Sequence, residues 1–132
     1  MEVIFADAFY FIALLNDVDQ HHQEAIVFSA AKRAILVTTD YILVEVADAL
    51  AKTEKRKEFK AFMKFVRSAS WIDIVGADRQ LFDCGMELYA NRPDKQWSLT
   101  DCMSFVVMEA RGITDALTHD HHFKLAGFRV LL

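Results

Sequence analysis

The first fifteen residues constrain the fold more than any other stretch of the chain. An apolar run over residues 3–6 leads into Asp7, and a second apolar run reaches Leu15, too long for another strand. A short continuous apolar run is typical of a strand buried on both faces, in the middle of a parallel sheet. Asp7 then falls where that strand ends and a helix begins, an edge at which open α/β sheets bind ligands. Because Asp is also a favoured N-cap residue, Asp7 is either a ligand or a cap.

Length and composition predict one domain spanning residues 1–132. The chain is 54% hydrophobic with one Pro and four Gly, which allows a substantial core and argues against disorder. No apolar stretch reaches the roughly 18 residues of a membrane span, and the N-terminus lacks the basic region of a signal peptide. Cys84 and Cys102 are the only cysteines. We expect them to be buried thiols in a cytoplasmic protein without a membrane partner.

Segments of strand length alternate with segments of helical periodicity along the chain, which predicts parallel strands with helices on both faces. Right-handed crossovers then place every strand-to-helix turn at one edge of the sheet. The predicted strands cover residues 3–6, 35–37, 71–75, 115–117 and 128–131. The predicted helices cover residues 9–15, 21–31, 41–52, 54–68, 78–90, 99–111 and 123–126.

Two more carboxylates are predicted at the edge that carries Asp7. Asp101 lies near the start of the helix over residues 99–111, and Asp120 follows the strand over residues 115–117. Each also has a purely structural interpretation. Ser98 and Asp101 have the spacing of a capping box, and Asp120 can cap the short helix after it. Taken singly, none of these residues indicates a site.

Glu45 is harder to explain structurally. It lies about one turn into its helix, beyond the reach of a cap, and Ile42, Val46 and Ala49 place it on or beside the apolar face. An ionised Glu buried without a partner is costly, so either a metal ion or an Arg or Lys is expected beside it. Four carboxylates at one edge repel one another unless cations neutralise them. Mg²⁺ and Mn²⁺ prefer oxygen ligands and suit phosphodiester hydrolysis, since a bound metal activates water and neutralises phosphate charge.

The net charge of −4 argues weakly against a broadly basic nucleic-acid binder, but the charge is uneven. Seven basic residues and two acidic ones lie between Lys52 and Arg67. Such a run is usually a solvated helix face. The alternative is a surface that attracts the phosphates of a nucleic acid.

Four motifs, in order and over nearly the whole chain, are similar to those of PIN domains, and more narrowly to the VapC-type toxin nucleases of bacterial toxin–antitoxin pairs. They lie at residues 5–7 with 11–15, 38–39 with 44–46, 97–102, and 117–123. The resemblance implies a PIN-like, Rossmann-like fold: a three-layer α/β/α sandwich around a central, mostly parallel sheet of about four or five strands. It also implies a metal-dependent endoribonuclease, the toxin of a type II pair, that uses Mg²⁺ or Mn²⁺. The family's four acids, which bind the metal and are catalytic, fall on Asp7, Glu45, Asp101 and Asp120. The resemblance further implies an RNA substrate, a homodimer, and an inhibitory antitoxin whose tail fills the active site.

One departure from the family pattern lies next to the first acid. The family usually has Thr or Ser after that Asp, where the hydroxyl helps to order the metal or its water, and this chain has Ala8. Ser98 and Thr100 are the hydroxyls that we expect nearby. The departure implies reduced activity, and the alternative function is a PIN-like domain that binds RNA or a protein partner without cleaving RNA.

Three other site types fit less well. An aspartyl phosphatase needs a second Asp where this chain has Phe9, and a response-regulator receiver needs a pair of acids at its first turn. His119, His121 and His122 surround Asp120 and suggest zinc, but adjacent side chains point in different directions and no matching Cys or His pair is present. We therefore expect these histidines to be polar loop residues, in a position to touch RNA phosphate.

Overall fold

The computed structural model describes residues 2–31 and 34–132. The strands are β1 (Glu2–Ala6), β2 (Ala34–Thr39), β3 (Ile72–Val75), β4 (Asp115–Leu117) and β5 (Arg129–Val130). The helices are α1 (Ala8–Leu15), α2 (His22–Ala31), α3 (Asp40–Ala49), α4 (Arg56–Ser68), α5 (Arg79–Asn91), α6 (Leu99–Arg111) and α7 (His121–Leu125), with a 3₁₀ turn at Thr53–Lys55.

The five strands form one parallel sheet in the order β3-β2-β1-β4-β5. β1 is the middle strand, as its apolar sequence predicts, and Ile4 and Phe5 are buried within it. Since all strands run the same way, their carboxyl ends meet at one edge. The predicted three-layer α/β/α fold is confirmed.

Aromatic side chains fill the core on the side of the sheet where β4 and β5 lie. Phe105 of α6 packs edge-on against Phe123 of α7 with ring centroids 4.9 Å apart, and it contacts Trp97 and Phe128 as well. Gly85 lets α5 approach α6 closely, because a Cβ atom there would lie 2.4 Å from Cγ of Met103. This packing holds the start of α6, and with it Asp101, against the sheet.

Several local predictions need correction. Cys84 is exposed, so the expectation of two buried thiols is wrong for that residue and right for Cys102. The helix predicted from residue 54 begins as a 3₁₀ turn and becomes α-helical at Arg56. β2 continues to Thr39, because Thr38 and Thr39 pair with the last two residues of β3. The Thr38 hydroxyl also donates to the Ala6 carbonyl of β1.

The basic run belongs largely to α4 and is mostly exposed to solvent. Lys57, Lys60, Lys64 and Arg67 all lie on the exposed face, while Phe62 and Val66 are buried on the other. The predicted division of this helix into an apolar and a basic face is confirmed. Within residues 2–31 and 34–132, none of the helices combines the length and the apolar character needed to cross a membrane.

Candidate active site

A crevice of about 310 Å³ opens where β1 ends and α1 begins. The residues that line it are Asp7, Ala8, Phe9, Ile12, Glu45, Asp48, Asp101 and Asp120. All four carboxylates that the sequence singles out are therefore at one crevice, although they come from four separate parts of the chain. Parallel strands explain this, since each of these residues follows or faces the carboxyl end of a strand.

Asp7 is the most buried of the four carboxylates, with 4% of its surface exposed. It occupies the N-cap position of α1, yet its side chain makes no capping hydrogen bond, so the interpretation of Asp7 as a cap is wrong. Its Oδ2 atom instead accepts a hydrogen bond from the Thr118 hydroxyl at 2.7 Å. Burial raises the pKa of Asp7 to about 6, and the bond from Thr118 limits the rise.

Thr118 is a site residue that sequence reasoning missed. It directly follows β4, the neighbour of β1, and it is fully buried. Its hydroxyl donates to Asp7 and accepts a hydrogen bond from the backbone N–H of Asp120 at 3.1 Å. One hydroxyl thus connects the first acid to the last. Its position at the end of a predicted strand, two residues before Asp120, was the available signal.

Replacing Thr118 by Val should raise the pKa of Asp7 above its present value of about 6. The substitution removes the hydrogen bond that favours the ionised carboxylate and leaves the side-chain volume almost unchanged. The measurement is an NMR titration of the Asp7 carboxyl carbon in the metal-free protein. Thr38→Val is the matched control, because the Thr38 hydroxyl is equally buried and donates to the Ala6 carbonyl. An unchanged or lower pKa in Thr118→Val would mean that the hydroxyl does not stabilise the carboxylate.

Glu45 reaches the crevice from α3. Thr39 caps this helix by accepting a hydrogen bond from the backbone N–H of Ile42, which places Glu45 about one turn inside it. Glu45 is half-buried, and its burial and the negative charges around it raise its pKa to about 7. The charges that contribute belong to Asp7, Asp101, Asp120 and Asp48. The expectation of a partly buried Glu without a capping role is confirmed.

Asp101 and Asp120 combine a local structural role with a place at the crevice. Ser98 and Asp101 form the predicted capping box of α6: the Ser98 hydroxyl accepts from the Asp101 N–H at 3.0 Å, and the Asp101 carboxylate accepts from the Ser98 N–H at 3.1 Å. Asp120 caps α7 by accepting from the His122 N–H at 2.9 Å. Burial raises the pKa of Asp101. These bonds fix both side chains, so capping and a place in the site do not exclude each other.

Asp48 also lines the crevice and was missed by sequence reasoning. It is exposed and lies three residues after Glu45, a spacing that puts both side chains on one face of α3. That spacing was a usable signal. The negative charge of Asp48 contributes to the raised pKa of Glu45.

Within the described parts of the chain, no Lys or Arg forms an ion pair with Asp7, Glu45 or Asp101. Asp120 lies 3.8 Å from the exposed His121 ring, a pair that is charged only when His121 is protonated. A metal ion and a basic side chain were the two partners expected for Glu45. The described residues do not provide the basic side chain. The oxygen donors that remain are of the kind that Mg²⁺ and Mn²⁺ prefer.

The carboxylates form an open donor set. Among residues 2–31 and 34–132, the only three potential ligand atoms within 4.8 Å of one another belong to Asp120, His121 and His122. The four carboxylates thus line the crevice without closing into a compact shell. This arrangement fits Mg²⁺, which typically takes one or two carboxylates and keeps several of its waters.

The histidines around Asp120 partly contradict the sequence argument against zinc, because Asp120, His121 and His122 each bring one ligand atom to a common place. His122 also has a buried Nδ1 atom without a hydrogen-bond partner. A structural zinc site takes four protein ligands, and in the described ranges no fourth Cys, His, Asp or Glu joins this group. The group therefore does not form a closed zinc site.

A larger, apolar groove of about 490 Å³ lies away from the carboxylates. Its lining includes Tyr10, Phe11, Leu14, Phe62, Phe65 and Trp71. None of the described residues that line it has an acidic, basic or thiol side chain. The carboxylate crevice, although smaller, is the candidate active site, because it holds the residues whose pKa values are strongly raised.

Comparison with known proteins finds relatives of the whole chain. The chain is 26% identical over 126 residues to VapC20 of Mycobacterium tuberculosis, a 23S rRNA-specific endonuclease, covering 96% of this chain and 95% of VapC20. The crystal structure of VapC20, described as a sarcin-ricin loop cleaving toxin, superimposes with a TM-score of 0.85 over 95% of each chain. The resemblance to VapC-type PIN domains is confirmed.

More distant VapC-like structures share the fold. A toxin–antitoxin complex from Klebsiella pneumoniae matches with a TM-score of 0.67 at 13% identity, covering 98% of this chain and 96% of that one. DNA-bound VapBC from Salmonella typhimurium matches with a TM-score of 0.65 at 15% identity, covering 99% and 98%. At these identities the likeness concerns the fold alone. No family model matches the chain.

Proposed function

We propose that the protein is an endoribonuclease that depends on Mg²⁺ or Mn²⁺. The observation that carries the proposal is the crevice, where Asp7, Glu45, Asp101 and Asp120 face one another without a Lys or Arg ion pair in the described residues. Burial raises the pKa values of Asp7 and Glu45, and repulsion from the neighbouring carboxylates adds to the rise. A divalent cation provides a counter-charge.

The chain's own residues prepare the site for such an ion. Asp7, Glu45, Asp101 and Asp120 would hold it, and when bound it supplies an acidified water and neutralises charge on the phosphate. The Thr118 hydroxyl orients the Asp7 carboxylate, and the backbone N–H of Ser98 orients the Asp101 carboxylate. Ala8 contributes no hydroxyl, so among the described contacts the hydroxyl that meets Asp7 is that of Thr118.

RNA is the substrate class that we propose, with ribosomal RNA as the first candidate. VapC20, the relative that matches over most of its length, is a 23S rRNA-specific endonuclease. The chain carries a net charge of −4, but the exposed basic face of α4 is a local positive surface that attracts phosphates. A cytoplasmic location would follow from this substrate.

We further propose that the protein is the toxin of a type II toxin–antitoxin pair and forms a homodimer. Several VapC-like neighbours were crystallised with an antitoxin. The partner is expected to be a small protein encoded next to this chain, with a DNA-binding N-terminal part. Co-purification of the two products and light scattering of the toxin alone are the measurements for these two proposals.

A binding domain without nuclease activity is the alternative. Ala8 favours it, because Ala8 lines the crevice where the related nucleases usually carry a hydroxyl. The presence of all four acids opposes it. The two functions differ in a single observable, metal-dependent RNA cleavage.

The test incubates purified 23S rRNA with the protein in Mg²⁺ or Mn²⁺, with EDTA in parallel, and maps cleavage by primer extension. We expect cleavage at one or a few positions in either metal and none in EDTA. Intact rRNA under all conditions, followed by intact tRNA and mRNA, would overturn the nuclease and favour the binding domain.

A further inference from the structure

An exposed aromatic ring lies at the rim of the acidic crevice. Phe9, the second residue of α1, lines the crevice beside Asp7 and keeps 47% of its surface exposed. Its neighbours in the same helix, Tyr10 and Phe11, are buried in the core. About half of the Phe9 surface thus stays outside the core, and its apolar ring offers no oxygen, nitrogen or sulfur ligand to a metal ion.

One side of the Phe9 ring is backed by two histidines. The His119 ring lies 5.8 Å from Phe9 between ring centroids, tilted by 56°. The His119 ring is in turn perpendicular to the His21 ring, with centroids 3.6 Å apart. Their Nε2 atoms lie 2.7 Å apart, so that one ring donates a hydrogen bond to the other. His21 also contacts Glu24 through Nδ1. These contacts hold the ring in place before any ligand arrives, which lowers the entropic cost of stacking on it.

The ligand that matches this ring follows from its neighbours. Phosphodiester cleavage at the carboxylates requires the nucleotides on either side of the bond to lie within the crevice or at its rim. Proteins bind unpaired nucleotides by stacking bases on aromatic side chains, and any base has a suitable face. A fixed Phe ring beside the acids meets this requirement.

We propose that Phe9, backed by His119 and His21, is a stacking platform for a nucleobase adjacent to the cleaved bond. This assignment rests on the proposed function, because it names how the same crevice holds its RNA. Phe9 contacts substrate without taking part in the chemistry. Loss of the Phe9 ring should therefore weaken RNA binding more than it lowers the rate of cleavage of bound RNA.

The experiment uses a short oligoribonucleotide that spans the mapped 23S rRNA cleavage position, with 2-aminopurine on either side of the cleaved bond. Binding is measured by fluorescence in Ca²⁺ with the full-length Asp7→Asn protein, so that the RNA stays intact. Variants at Phe9 are added to this background: Phe9→Tyr keeps an aromatic face, whereas Phe9→Leu keeps apolar volume without one. Tyr89→Ala is the control, since Tyr89 is 50% exposed on α5 and does not line the crevice.

We expect the 2-aminopurine signal to be quenched on binding at one of the two positions. Phe9→Leu should abolish that quenching and weaken binding about fivefold or more, the lower end of the contribution of one stacked base. Phe9→Tyr should retain both, and Tyr89→Ala should change neither. In the cleavage-competent protein, Phe9→Leu should raise KM and leave kcat within about twofold.

Three results overturn the assignment in distinguishable ways. Unchanged affinity and quenching in Phe9→Leu, while the parent protein binds RNA and the wild type cleaves it, would overturn the platform alone. The same result together with a change in oligomeric state would assign Phe9 to a contact between protein chains instead. No cleavage or binding of RNA by the wild type would overturn the proposed function, and the platform with it.

Discussion

Replacing Asp7 by Asn lowers the rate of RNA cleavage at least about a hundredfold while leaving the fold intact. Asn has the shape of Asp and can still accept the hydrogen bond from Thr118, but it lacks the charge that would hold a divalent ion. Loss of a metal's charge stabilisation costs several kcal/mol in the transition state. The measurement is the single-turnover cleavage rate in Mg²⁺, with circular dichroism to verify the fold.

The matched control for Asp7→Asn is the same substitution at Asp115. Asp115 begins β4, at the opposite end of the strand from Thr118, and pairs with Arg129 at 2.6 Å. Asp115→Asn should cleave RNA at nearly the wild-type rate. A rate for Asp7→Asn within about threefold of wild type would show that the chemistry does not depend on this carboxylate.

The same two variants should change stability with pH in opposite directions in the metal-free protein. Burial raises the pKa of Asp7 from 3.8 to about 6 in the folded state. Because the pKa of Asp7 is higher in the folded state than in the unfolded state, its protonation stabilises the fold. This stabilisation is complete below the unfolded-state pKa and is lost as pH rises through the folded-state pKa. Between pH 4 and pH 7 the wild type should therefore lose about 2 kcal/mol of stability relative to Asp7→Asn, which is most of the effect of a shift of roughly two pKa units.

For Asp115→Asn we expect the opposite dependence of stability on pH. The hydrogen bonds from Arg129 lower the pKa of Asp115, so this carboxylate stabilises the fold above its unfolded pKa and loses that contribution as pH falls. Asp115→Asn should cost stability at pH 7 and little at pH 3. Urea unfolding of the variants at several pH values measures both trends. A stability gap between wild type and Asp7→Asn that does not vary from pH 4 to pH 8 would contradict the burial of an ionisable carboxyl.

Removing the Glu45 carboxylate should affect the stability of the metal-free protein in the same direction as Asp7→Asn, but less. Its pKa is raised to about 7, but Glu45 is half-exposed, and solvent screens part of the repulsion. Glu45→Ala should retain the fold, or be slightly more stable, without metal at neutral pH. Marked destabilisation by Glu45→Ala would mean instead that Glu45 supports the structure through an ion pair.

The sequence was sufficient to place the carboxylates because the rules involved are local or topological. An apolar run before Asp7 predicts a central parallel strand, and parallel topology then brings Asp101 and Asp120 to the same edge. Glu45 was found by its position inside a helix, where no capping role applies. The capping box of Ser98 and Asp101 was likewise predicted from spacing alone and is confirmed.

The features that sequence reasoning missed depend on contacts between distant segments. Asp7 looks like a cap until the hydroxyl of Thr118, 111 residues later, is seen to bind its side chain. Phe9 follows Asp7 within an apolar run, and only the packing of α1 leaves its ring outside the core. The exposure of Cys84 likewise depends on which face of α5 packs against α6. Local periodicity does not determine these three outcomes.

Titration calorimetry of Mn²⁺ into the metal-free protein at pH 7.5 tests the central claim most directly. The claim is that the carboxylate crevice binds a divalent cation, and the titration is run on wild type, Asp7→Asn, Asp101→Asn and Asp115→Asn. We predict saturable binding to wild type and Asp115→Asn, weakened at least about tenfold in the two crevice variants, since each removes one charged oxygen ligand. No saturable binding to wild type, or equal binding to Asp7→Asn, would contradict a metal site in this crevice.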